Sequence, residues 1–311
     1  MNILESISFD LMIPEATLDH VIRSAPYRYK VFEIDKRNGK SKRTIAQPAR
    51  EVKAIQYWVM EKVLSAFPIH GAAMAYRKGR SITTNAAKHA TTRFLLKMDF
   101  KDFFPSITGE DFVAFLTGRD GIDLSSEDIV RLKKILFWNR RREGRLVMSI
   151  GAPSSPLLSN ILLYDFDKKV QAFCAKKKVK YSRYADDLTF STNLPNVLRE
   201  VEVQIAEICR RMEHPKLQLN TEKTVHASRG VSRRVTGLVL ANSGEVSLGH
   251  SRKRLIRAQV HHFLVGKLSP DETVKLRGML AFVNSAEPAF IQSLKNHYGN
   301  AAIDKIVNMQ D

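Results

Sequence analysis

Cysteine is scarce in this 311-residue sequence, and the two cysteines lack the spacing of metal-binding pairs. Cys174 and Cys209 fall on separate predicted helices, so we expect neither a zinc site nor a disulfide framework. Both are predicted to be small core residues of a reduced, cytoplasmic protein. The sequence also lacks an apolar run of about 18 residues, and Glu5 and Asp10 stand where a signal peptide would have basic residues. These absences argue against a disulfide-rich secreted protein and against a membrane protein.

Acidic residues are also few relative to basic ones. The sequence has 50 Lys and Arg against 32 Asp and Glu, which leaves a formal net charge of +18. Such an excess favours a polyanionic partner, either nucleic acid or an anionic membrane surface. Because we find no membrane-spanning run, nucleic acid is the better interpretation. No low-complexity linker interrupts the chain, so its lobes are expected to pack together.

Two adjacent carboxylates stand at the tip of a predicted β-hairpin. Residues 181–191 alternate between apolar and polar on either side of Asp186 and Asp187. Neighbouring like charges are costly unless a cation collects them, and a divalent metal ion would do so. Taken alone, the pair is more typical of a solvated turn, because Asp commonly binds its own backbone there.

A third carboxylate changes that balance. Residues 93–98 form a short apolar run typical of a buried central strand, and the run ends at Asp99. A carboxylate at the end of a buried strand is costly unless it is paired or bound to a metal. The predicted order of elements from Asp99 to Asp187 indicates an α+β fold, an antiparallel sheet backed by helices. Three acids at one sheet edge of a basic protein predict a two-metal phosphoryl-transfer site, with Mg²⁺ favoured and Mn²⁺ as the alternative.

Two further stretches suit a nucleotide. A hairpin is predicted to turn at Asn38–Gly39, and Arg43 on its return strand would be held rigidly enough to grip a phosphate. Gly151 and Pro153 begin a stiff segment of small residues that leads into a helix, and such a shelf suits a nucleotide or a template base.

Helices are predicted where capping signals precede an apolar pattern of helical period. The signals are Ser81, Thr108 with Asp111, Ser125 with Asp128, and Ser269 with Glu272. A long helix is predicted to begin at Pro48, and another is predicted to run from the shelf to about Lys177. Strands are predicted near 217–219 and over 234–240, and three helices from Ser251 onward. Asn85 and His89 share one face of the helix that Ser81 caps, where a lone His is usually a hydrogen-bonded structural residue.

Three motifs, in this order, resemble those of reverse transcriptases. The segment Lys97 to Ser106 resembles their first carboxylate motif, and Gly151 to Pro156 resembles the shelf beneath the template and incoming nucleotide. Tyr184-Ala185-Asp186-Asp187 resembles their metal-binding box. Each motif alone is moderately specific, but all three in the right order are highly specific. The resemblance covers roughly residues 30–240.

Two more elements resemble bacterial retron reverse transcriptases. Asn85-Ala86-Ala87-Lys88-His89 resembles their Asn-Ala-x-x-His signature, and Val235-Thr236-Gly237 resembles their Val-Thr-Gly element. The residues beyond that element leave room for a thumb, but not for group II intron maturase and endonuclease regions or an RNase H domain. The resemblance implies a right-hand polymerase. Its fingers, with an N-terminal helix, would be residues 1–92, its palm 93–240 with a finger-like helical insertion at about 108–150, and its thumb and RNA-binding region 241–311.

The resemblance also implies roles for particular residues. Asp99, Asp186 and Asp187 would be the catalytic acids, with Asp99 and Asp186 as the ligands shared by both metal ions. The positions implied for nucleotide binding are Arg43, Asp102, Phe103, Phe104, Gly151, Pro153 and Lys223. The RNA-binding candidates are Asn85, His89, Arg233, Arg234, Val235, Thr236, Gly237, Arg252, Lys253, Arg254 and Arg257.

Some of these roles are specific. Phe104 stands where the family keeps an aromatic ring that stacks under the sugar and disfavours a ribose 2′-hydroxyl. Asp102 and Phe103 would offer backbone amides to the triphosphate. Lys223 would lie near the pyrophosphate leaving group, although an exposed loop lysine is an equally good interpretation. Ile150 replaces the Gln that many relatives have before the shelf glycine, and Ile cannot hydrogen-bond the template or ribose.

The implied function is RNA-directed synthesis of DNA in the cytoplasm, with no membrane involved. By resemblance, the enzyme copies part of its own structured non-coding RNA with dNTPs, primed from an RNA 2′-hydroxyl, and leaves a branched RNA–DNA product (msDNA). Retrons are generally linked to phage defence with an effector protein, whose identity nothing in these residues gives. Two alternatives stay open. One is a group II-like or other bacterial reverse transcriptase that uses a separate RNA, and the other is a catalytically silent RNA-binding scaffold.

Overall fold

Helices and short antiparallel strands alternate along the chain. The structure is a computed structural model that describes residues 2–35, 39, 41–119, 123–140 and 144–308. In chain order, helices α1 to α14 are Ile3–Leu11, Glu15–Ser24, Arg50–Lys62, Ile82–Ala90, Phe103–Ser106, Gly109–Thr117, Ser126–Leu136, Ser154–Leu162, Tyr164–Lys176, Val197–Arg211, His250–Leu264, Pro270–Ala286, Pro288–Tyr298 and Asn300–Val307. In chain order, strands β1 to β11 are Tyr29–Asp35, Lys42–Pro48, Phe94–Asp99, Trp138–Asn139, Leu146–Val147, Lys180–Tyr184, Asp187–Thr192, Val225–Ser228, Arg233–Val235, Leu238–Leu240 and Val246–Ser247.

The predicted acids lie on a four-stranded antiparallel sheet with the order β6-β7-β3-β8. β3 is largely buried, as expected of an apolar strand with neighbours on both sides. Its register places Asp99 opposite Asp187 and places Phe94 opposite Thr192 and Ser228. The sheet therefore has a carboxylate end and, about 17 Å away along β3, an opposite end where the chain enters from α4.

Two hydrophobic cores stabilise the fold. The first joins the central sheet to the helices between α1 and α10, with Phe100, Phe166 and Phe190 among its large side chains. The second joins α11 to α14 and the small sheet of β9, β10 and β11. Ala86 and Ala90 of α4 also pack in this second core, so α4 connects the central sheet to the C-terminal helices.

The hairpin of β1 and β2 attaches to the shelf segment through backbone contacts. The Ala46 N–H donates to the Ile150 carbonyl at 2.8 Å, and the Ser149 hydroxyl donates to the Ala46 carbonyl at 3.1 Å. Gly151 has φ +126, in the region that disfavours side chains, and it lies directly against Ala46. The glycine therefore permits a close approach of two backbones.

Several local predictions are confirmed. The hairpins formed by β1 with β2 and by β6 with β7 are present, and β3 has the predicted span to within a residue. The side chains of Ser81, Thr108, Ser125 and Ser269 cap the helices that follow them. The predicted turn at Asn38–Gly39 includes Asn38, which lies outside the described residues.

Other predictions need correction. The segment 234–240 is two strands rather than one, because Thr236 and Gly237 both have positive φ and form a two-residue hairpin turn. Residues 217–219 contribute only a bridge between Leu219 and Phe100, and β8 is the strand that borders β3. The helix predicted to run from the shelf to about Lys177 breaks at Leu163 into α8 and α9.

Helix boundaries were also wrong in three places. β2 extends through Pro48, so α3 begins at Arg50, two residues after the predicted start. The C-terminal region has four helices within its described residues rather than three, because Gly299 separates α13 from α14. The first helix, α1, was not predicted, although Asn2 caps it.

Replacing Gly151 with Ala is expected to destabilise the contact between shelf and hairpin. A Cβ at this position would lie 2.7 Å from the Ala46 carbonyl oxygen, so one of the two backbones must move. We expect the free energy of unfolding in urea to fall by about 1–3 kcal/mol. Gly144→Ala is the matched control, because Gly144 also has positive φ, and in the described part of the chain no atom lies within 4 Å of a Cβ placed there. An equal loss in both variants would show that backbone strain alone, without the close contact, determines the effect.

Candidate active site

Three carboxylates occupy one end of the central sheet. Asp99 ends β3, Asp187 begins β7 directly opposite it, and Asp186 lies in the turn between β6 and β7. The turn needs Ala185 in the left-handed conformation, with φ 57. The Asp186 carbonyl also accepts a hydrogen bond from the Phe100 N–H at 3.2 Å. The backbone on both sides of the acids is thereby fixed by the sheet.

Burial and mutual repulsion raise the pKa of two of these acids. Burial raises the pKa of Asp186 above its ordinary value, and the charge of Asp99 raises it further. Burial raises the pKa of Asp187 from 3.8 to about 6, with Lys97 opposing the shift. Desolvation disfavours the charged form of a carboxylate, whereas a nearby cation favours that form. Added positive charge at this end of the sheet would therefore stabilise the ionised forms of Asp186 and Asp187.

One cation of the chain itself lies at this end of the sheet. The Lys223 ammonium donates to Asp99 Oδ1 at 2.7 Å, and that bond raises the pKa of Lys223. In the described part of the chain, no three His, Cys, Asp or Glu side chains are grouped so as to hold an ion between them. Asp99 thus pairs with Lys223, and the three neighbouring acids are not arranged as a preformed ion-binding group.

A buried ion pair lies directly behind the hairpin tip. Arg183 and Asp167 are both fully buried, and Arg183 Nη2 donates to Asp167 Oδ2 at 2.6 Å. Arg183 Nε donates to Asp167 Oδ1 at 2.9 Å, which makes the contact bidentate. The Tyr181 hydroxyl donates to the same Oδ1 at 2.7 Å. Such a pair holds its geometry well because the alternative is an unpaired buried charge.

The remaining guanidinium nitrogen connects this ion pair to the acids. Arg183 Nη1 donates to the Ala185 carbonyl at 3.2 Å and to Asn160 Oδ1 at 3.2 Å. The Asn160 amide in turn donates to the Ala75 carbonyl at 2.9 Å. The carbonyl of the residue immediately before Asp186 is therefore bonded to a group fixed by α8 and α9. This network positions the turn that presents Asp186 and Asp187.

Sequence reasoning missed this network, although one signal was present. Asp167 stands at helical spacing with Val170 and Cys174, which are buried on α9. An acid on the buried face of a helix requires a partner. The pattern therefore predicts a buried cation as the partner of Asp167. Sequence periodicity does not indicate which residue of another element provides that cation.

The residues proposed for nucleotide binding surround the carboxylate end. Arg43 is exposed on β2, and its charge lowers the pKa of Asp186, so the two lie within electrostatic range. Asp102 is exposed in the left-handed conformation with φ 46, and it precedes the short helix α5. Phe103 is buried against Phe100, whereas Phe104 is only partly buried. The structure thus leaves Arg43, Asp102 and Phe104 accessible.

Four RNA-binding candidates are buried, which corrects their assignment. The Asn85 and His89 side chains have no exposed surface, and His89 lies between the hydroxyls of Ser182 and Ser191 at 2.7 Å each. Burial lowers the pKa of His89 to about 3, so the ring is neutral. Val235 is buried in the second core, and Arg233 donates to the Thr92 carbonyl. These side chains cannot contact RNA in this structure because protein atoms cover them.

Other RNA-binding candidates are more accessible. Arg234, Gly237, Arg254 and Arg257 are exposed. The remaining three are engaged by the protein. Thr236 donates to the Ile82 carbonyl, Arg252 lies over the Phe282 ring, and Lys253 forms an ion pair with Glu287.

Comparison with known proteins places the chain in a family. Residues 34–255 match the family described as Reverse transcriptase (RNA-dependent DNA polymerase). The chain is 42% identical over 291 residues to Retron Ec83 reverse transcriptase of Escherichia coli, and the match covers 93% of each chain. The chain belongs to the retron reverse transcriptases. It is also 31% identical to Retron Ec86 reverse transcriptase of Escherichia coli, over 98% of this chain and 93% of that protein.

Membership settles the general activity of the retron enzyme. It is an RNA-directed DNA polymerase with the right-hand polymerase fold, which confirms the fold class expected from the sequence. Its template is RNA, and enzymes of this family use divalent metal ions. No helix in the described ranges is long and apolar enough to cross a membrane.

The ion pair behind the hairpin predicts a non-additive mutant series. Arg183→Met leaves the Asp167 charge buried and unpaired, and Asp167→Asn leaves the Arg183 charge unpaired. Each single change is expected to lower the free energy of unfolding by about 3–5 kcal/mol. The double variant removes both charges and keeps an acceptor for Tyr181, so it should be more stable than either single variant. Additive losses in urea unfolding would contradict the pairing.

The raised pKa of Asp187 predicts a pH-dependent effect of Asp187→Asn. The folded-state pKa is raised from 3.8 to about 6, so the folded protein binds this proton more tightly than the unfolded chain. The carboxylate therefore costs stability increasingly as pH rises through that window, and fully above it. In EDTA at about pH 8, the variant should be more stable by about 1–3 kcal/mol, and at about pH 4 the gain should vanish. The exposed Asp35, changed to Asn, is the control. A gain of equal size at both pH values would contradict the cause.

Proposed function

We propose that Asp99, Asp186 and Asp187 are the catalytic acids of this RNA-directed DNA polymerase. The observation that carries the proposal is their convergence, since Asp99 faces Asp187 across the β3–β7 ladder and Asp186 lies in the adjoining turn. Burial and the charges of neighbouring carboxylates raise the pKa values of Asp186 and Asp187. Clustered carboxylates are stabilised when cations bind, so this arrangement suits an active site that uses bound cations.

Two Mg²⁺ ions are the cofactor that we propose, with Mn²⁺ as a substitute. The donor set fits, because Mg²⁺ prefers carboxylate oxygens and completes its shell with water and substrate phosphates. Asp99 and Asp186 would be shared ligands and Asp187 a further one. When bound, the ions would activate the attacking hydroxyl and stabilise charge on the phosphate. Lys223, already within hydrogen-bond distance of Asp99, would direct its charge toward the triphosphate.

The incoming dNTP would lie between the carboxylate end and the β1–β2 hairpin. Arg43 would grip the triphosphate, and the backbone amides of Asp102 and Phe103 would donate to it. Phe104 would contact the sugar, and Gly151 and Pro153 would form the shelf. Ile150 contributes its carbonyl to the contact with Ala46, so its apolar side chain leaves that contact unaffected. The proposed consequence of Ile150 is a nucleotide site with one fewer polar contact than in relatives that have Gln.

We propose the division of the chain into fingers over residues 1–92, palm over 93–240 and thumb over 241–311, with helical insertion at about 108–150. Support comes from the second core, in which α11 to α14 pack together and contact α4 and the small sheet of β9 to β11. The exposed arginines Arg234, Arg254 and Arg257 are suited to contact the phosphates of the RNA. Contacts of this kind should make RNA affinity fall steeply with salt.

The RNA is proposed to be a structured non-coding RNA encoded with the enzyme. Part of it would be copied, with priming from one of its own 2′-hydroxyls, to leave msDNA. Similarity to two retron enzymes over most of the chain supports this proposal. A role in phage defence together with an effector protein, in the cytoplasm, is proposed on the same ground. Sequencing of nucleic acid that co-purifies with the protein tests it, with short single-stranded DNA joined to RNA as the expected result.

Changing Asp186 and Asp187 to Asn is the test of the catalytic assignment. The substitution keeps size and hydrogen-bonding capacity but removes both charges, so DNA synthesis on a primed RNA template should be lost. RNA binding should remain, because the substitutions leave the exposed Arg234, Arg254 and Arg257 unchanged. The control is Asp165→Asn, which removes an exposed acid of α9 that pairs with Arg119. DNA synthesis at the parental rate in the double Asn variant would overturn the assignment.

A further inference from the structure

A group of basic side chains surrounds Thr91 at the end of the central sheet opposite the carboxylates. The Lys180 ammonium donates to the Thr91 hydroxyl at 3.2 Å, and Arg229 Nη2 donates to the Thr91 carbonyl at 3.3 Å. Lys88 lies in the last turn of α4, and Arg93 immediately precedes β3. We call Lys88, Arg93, Lys180 and Arg229 the Thr91 cluster. It joins three segments that are distant in sequence.

The Thr91 cluster has no acidic counterpart in its own segments. The three stretches that meet here, 62–98, 168–185 and 223–244, contain no Asp or Glu. Among the described residues, none of the four basic side chains forms an ion pair with a carboxylate. Arg93, Lys180 and Arg229 are exposed, and Lys88 is partly buried. Burial lowers the pKa of Lys88 and the charges of Arg80 and Lys180 lower it further, whereas the buried Asp167 opposes the shift. Glu245, which follows Gly244 beside Thr91, is the nearest acid in sequence to these stretches on that side. The cluster is therefore a region of net positive charge.

Stabilisation of the protein's own structure requires only some of the four positive charges in the Thr91 cluster. The end of α4 carries a partial negative charge of about half a unit, which nearby cations stabilise. Arg229 also satisfies a free carbonyl there, and the buried Arg233 satisfies the carbonyl of Thr92. One or two cations are sufficient for those tasks. The side chains of Lys180 and Arg229 have further N–H groups that face solvent and have no protein acceptor among the described residues.

The Thr91 cluster is separate from the proposed polymerase site. Phe94, beside the cluster, and Asp99 are the two ends of β3, so about 17 Å of strand separates them. Arg43, Asp102 and Phe104 all lie at the carboxylate end. The cluster is also at the side of α4 that packs near the second core, through which the C-terminal helices attach to the sheet.

We infer that the Thr91 cluster binds the phosphodiester backbone of RNA outside the polymerase cleft. Several positive groups contributed by separate, rigid elements suit an extended polyanion such as a phosphodiester backbone better than a single small anion. RNA rather than a membrane is the partner because the enzyme works on RNA, and this clause rests on the proposed function. The contact would hold a part of the RNA that is not being copied, which fixes the position of the template relative to Asp186.

Binding of a labelled RNA hairpin as a function of salt tests the inference. Lys180→Gln combined with Arg229→Gln removes two charges and keeps hydrogen-bonding capacity. The slope of log affinity against log salt should become shallower by about 1.8, and affinity at about 0.15 M salt should fall at least about tenfold. Lys180→Arg combined with Arg229→Lys keeps both charges and is expected to bind like the parent. Since no nucleotide is added, the result does not depend on the catalytic assignment.

The matched control is Lys168→Gln combined with Lys169→Gln. These exposed lysines of α9 belong to one of the acid-free segments but form no hydrogen bond with Thr91 in the described part of the chain, and their loss changes the net charge equally. An unchanged slope in the Lys180 and Arg229 variant, or an equal change in the control, would overturn the inference. Thermal melting of each variant shows that the fold is retained. Loss of binding to phosphatidylserine vesicles with RNA binding intact would instead identify a membrane surface and would overturn it too.

Discussion

Desolvation of carboxylates is the constraint on which the arrangement of this protein depends. Asp99, Asp186 and Asp187 stand where a sheet buries them against one another, and the raised pKa values of Asp186 and Asp187 record the cost. The sheet tolerates this cost because hydrogen bonds from neighbouring elements fix the backbone of the turn that carries Asp186. Arg183 bonds to the Ala185 carbonyl, and Asp167 holds Arg183 from α9. A looser turn would let the acids separate into water, which would relieve the repulsion and remove the site.

Much of this site could be predicted from the sequence because its elements obey local rules. Period-two alternation on both sides of Asp186 and Asp187 predicted the hairpin, and an apolar run predicted the strand that ends at Asp99. Both patterns depend on neighbours in the chain. The predicted order of elements placed the three acids at one sheet edge, since antiparallel strands that meet there bring their ends together, whereas the register of Asp99 opposite Asp187 came from the structure. The three carboxylates proposed as metal ligands therefore came from pattern and motif together.

What could not be predicted depends on contacts between distant segments. Nothing around Arg183 indicates that Asp167 is its partner, because a buried arginine and an exposed one look alike in a strand of mixed pattern. The predicted strand over 234–240 included Thr236, whose β-branched side chain is of a type that favours strands, yet the fold places it at φ 47 in a tight turn. Leu163, where α8 ends, is neither Gly nor Pro. In each case tertiary packing overrides a local preference, and a single sequence contains no measure of that packing.

The same reasoning applies to His89, where the sequence left two interpretations open. An Asn and a His four residues apart on one helical face are compatible with a ligand site and with a buried contact between elements. The structure shows the buried contact, since His89 forms hydrogen bonds with Ser182 on β6 and Ser191 on β7. Burial disfavours a charged imidazole at that position and lowers the pKa of His89 to about 3, so one ring nitrogen donates and the other accepts. The helix that carries His89 thus ties the β6–β7 hairpin to the second core, and its end presents the Thr91 cluster. One short helix thereby links the elements that hold the acids to a surface suited to RNA.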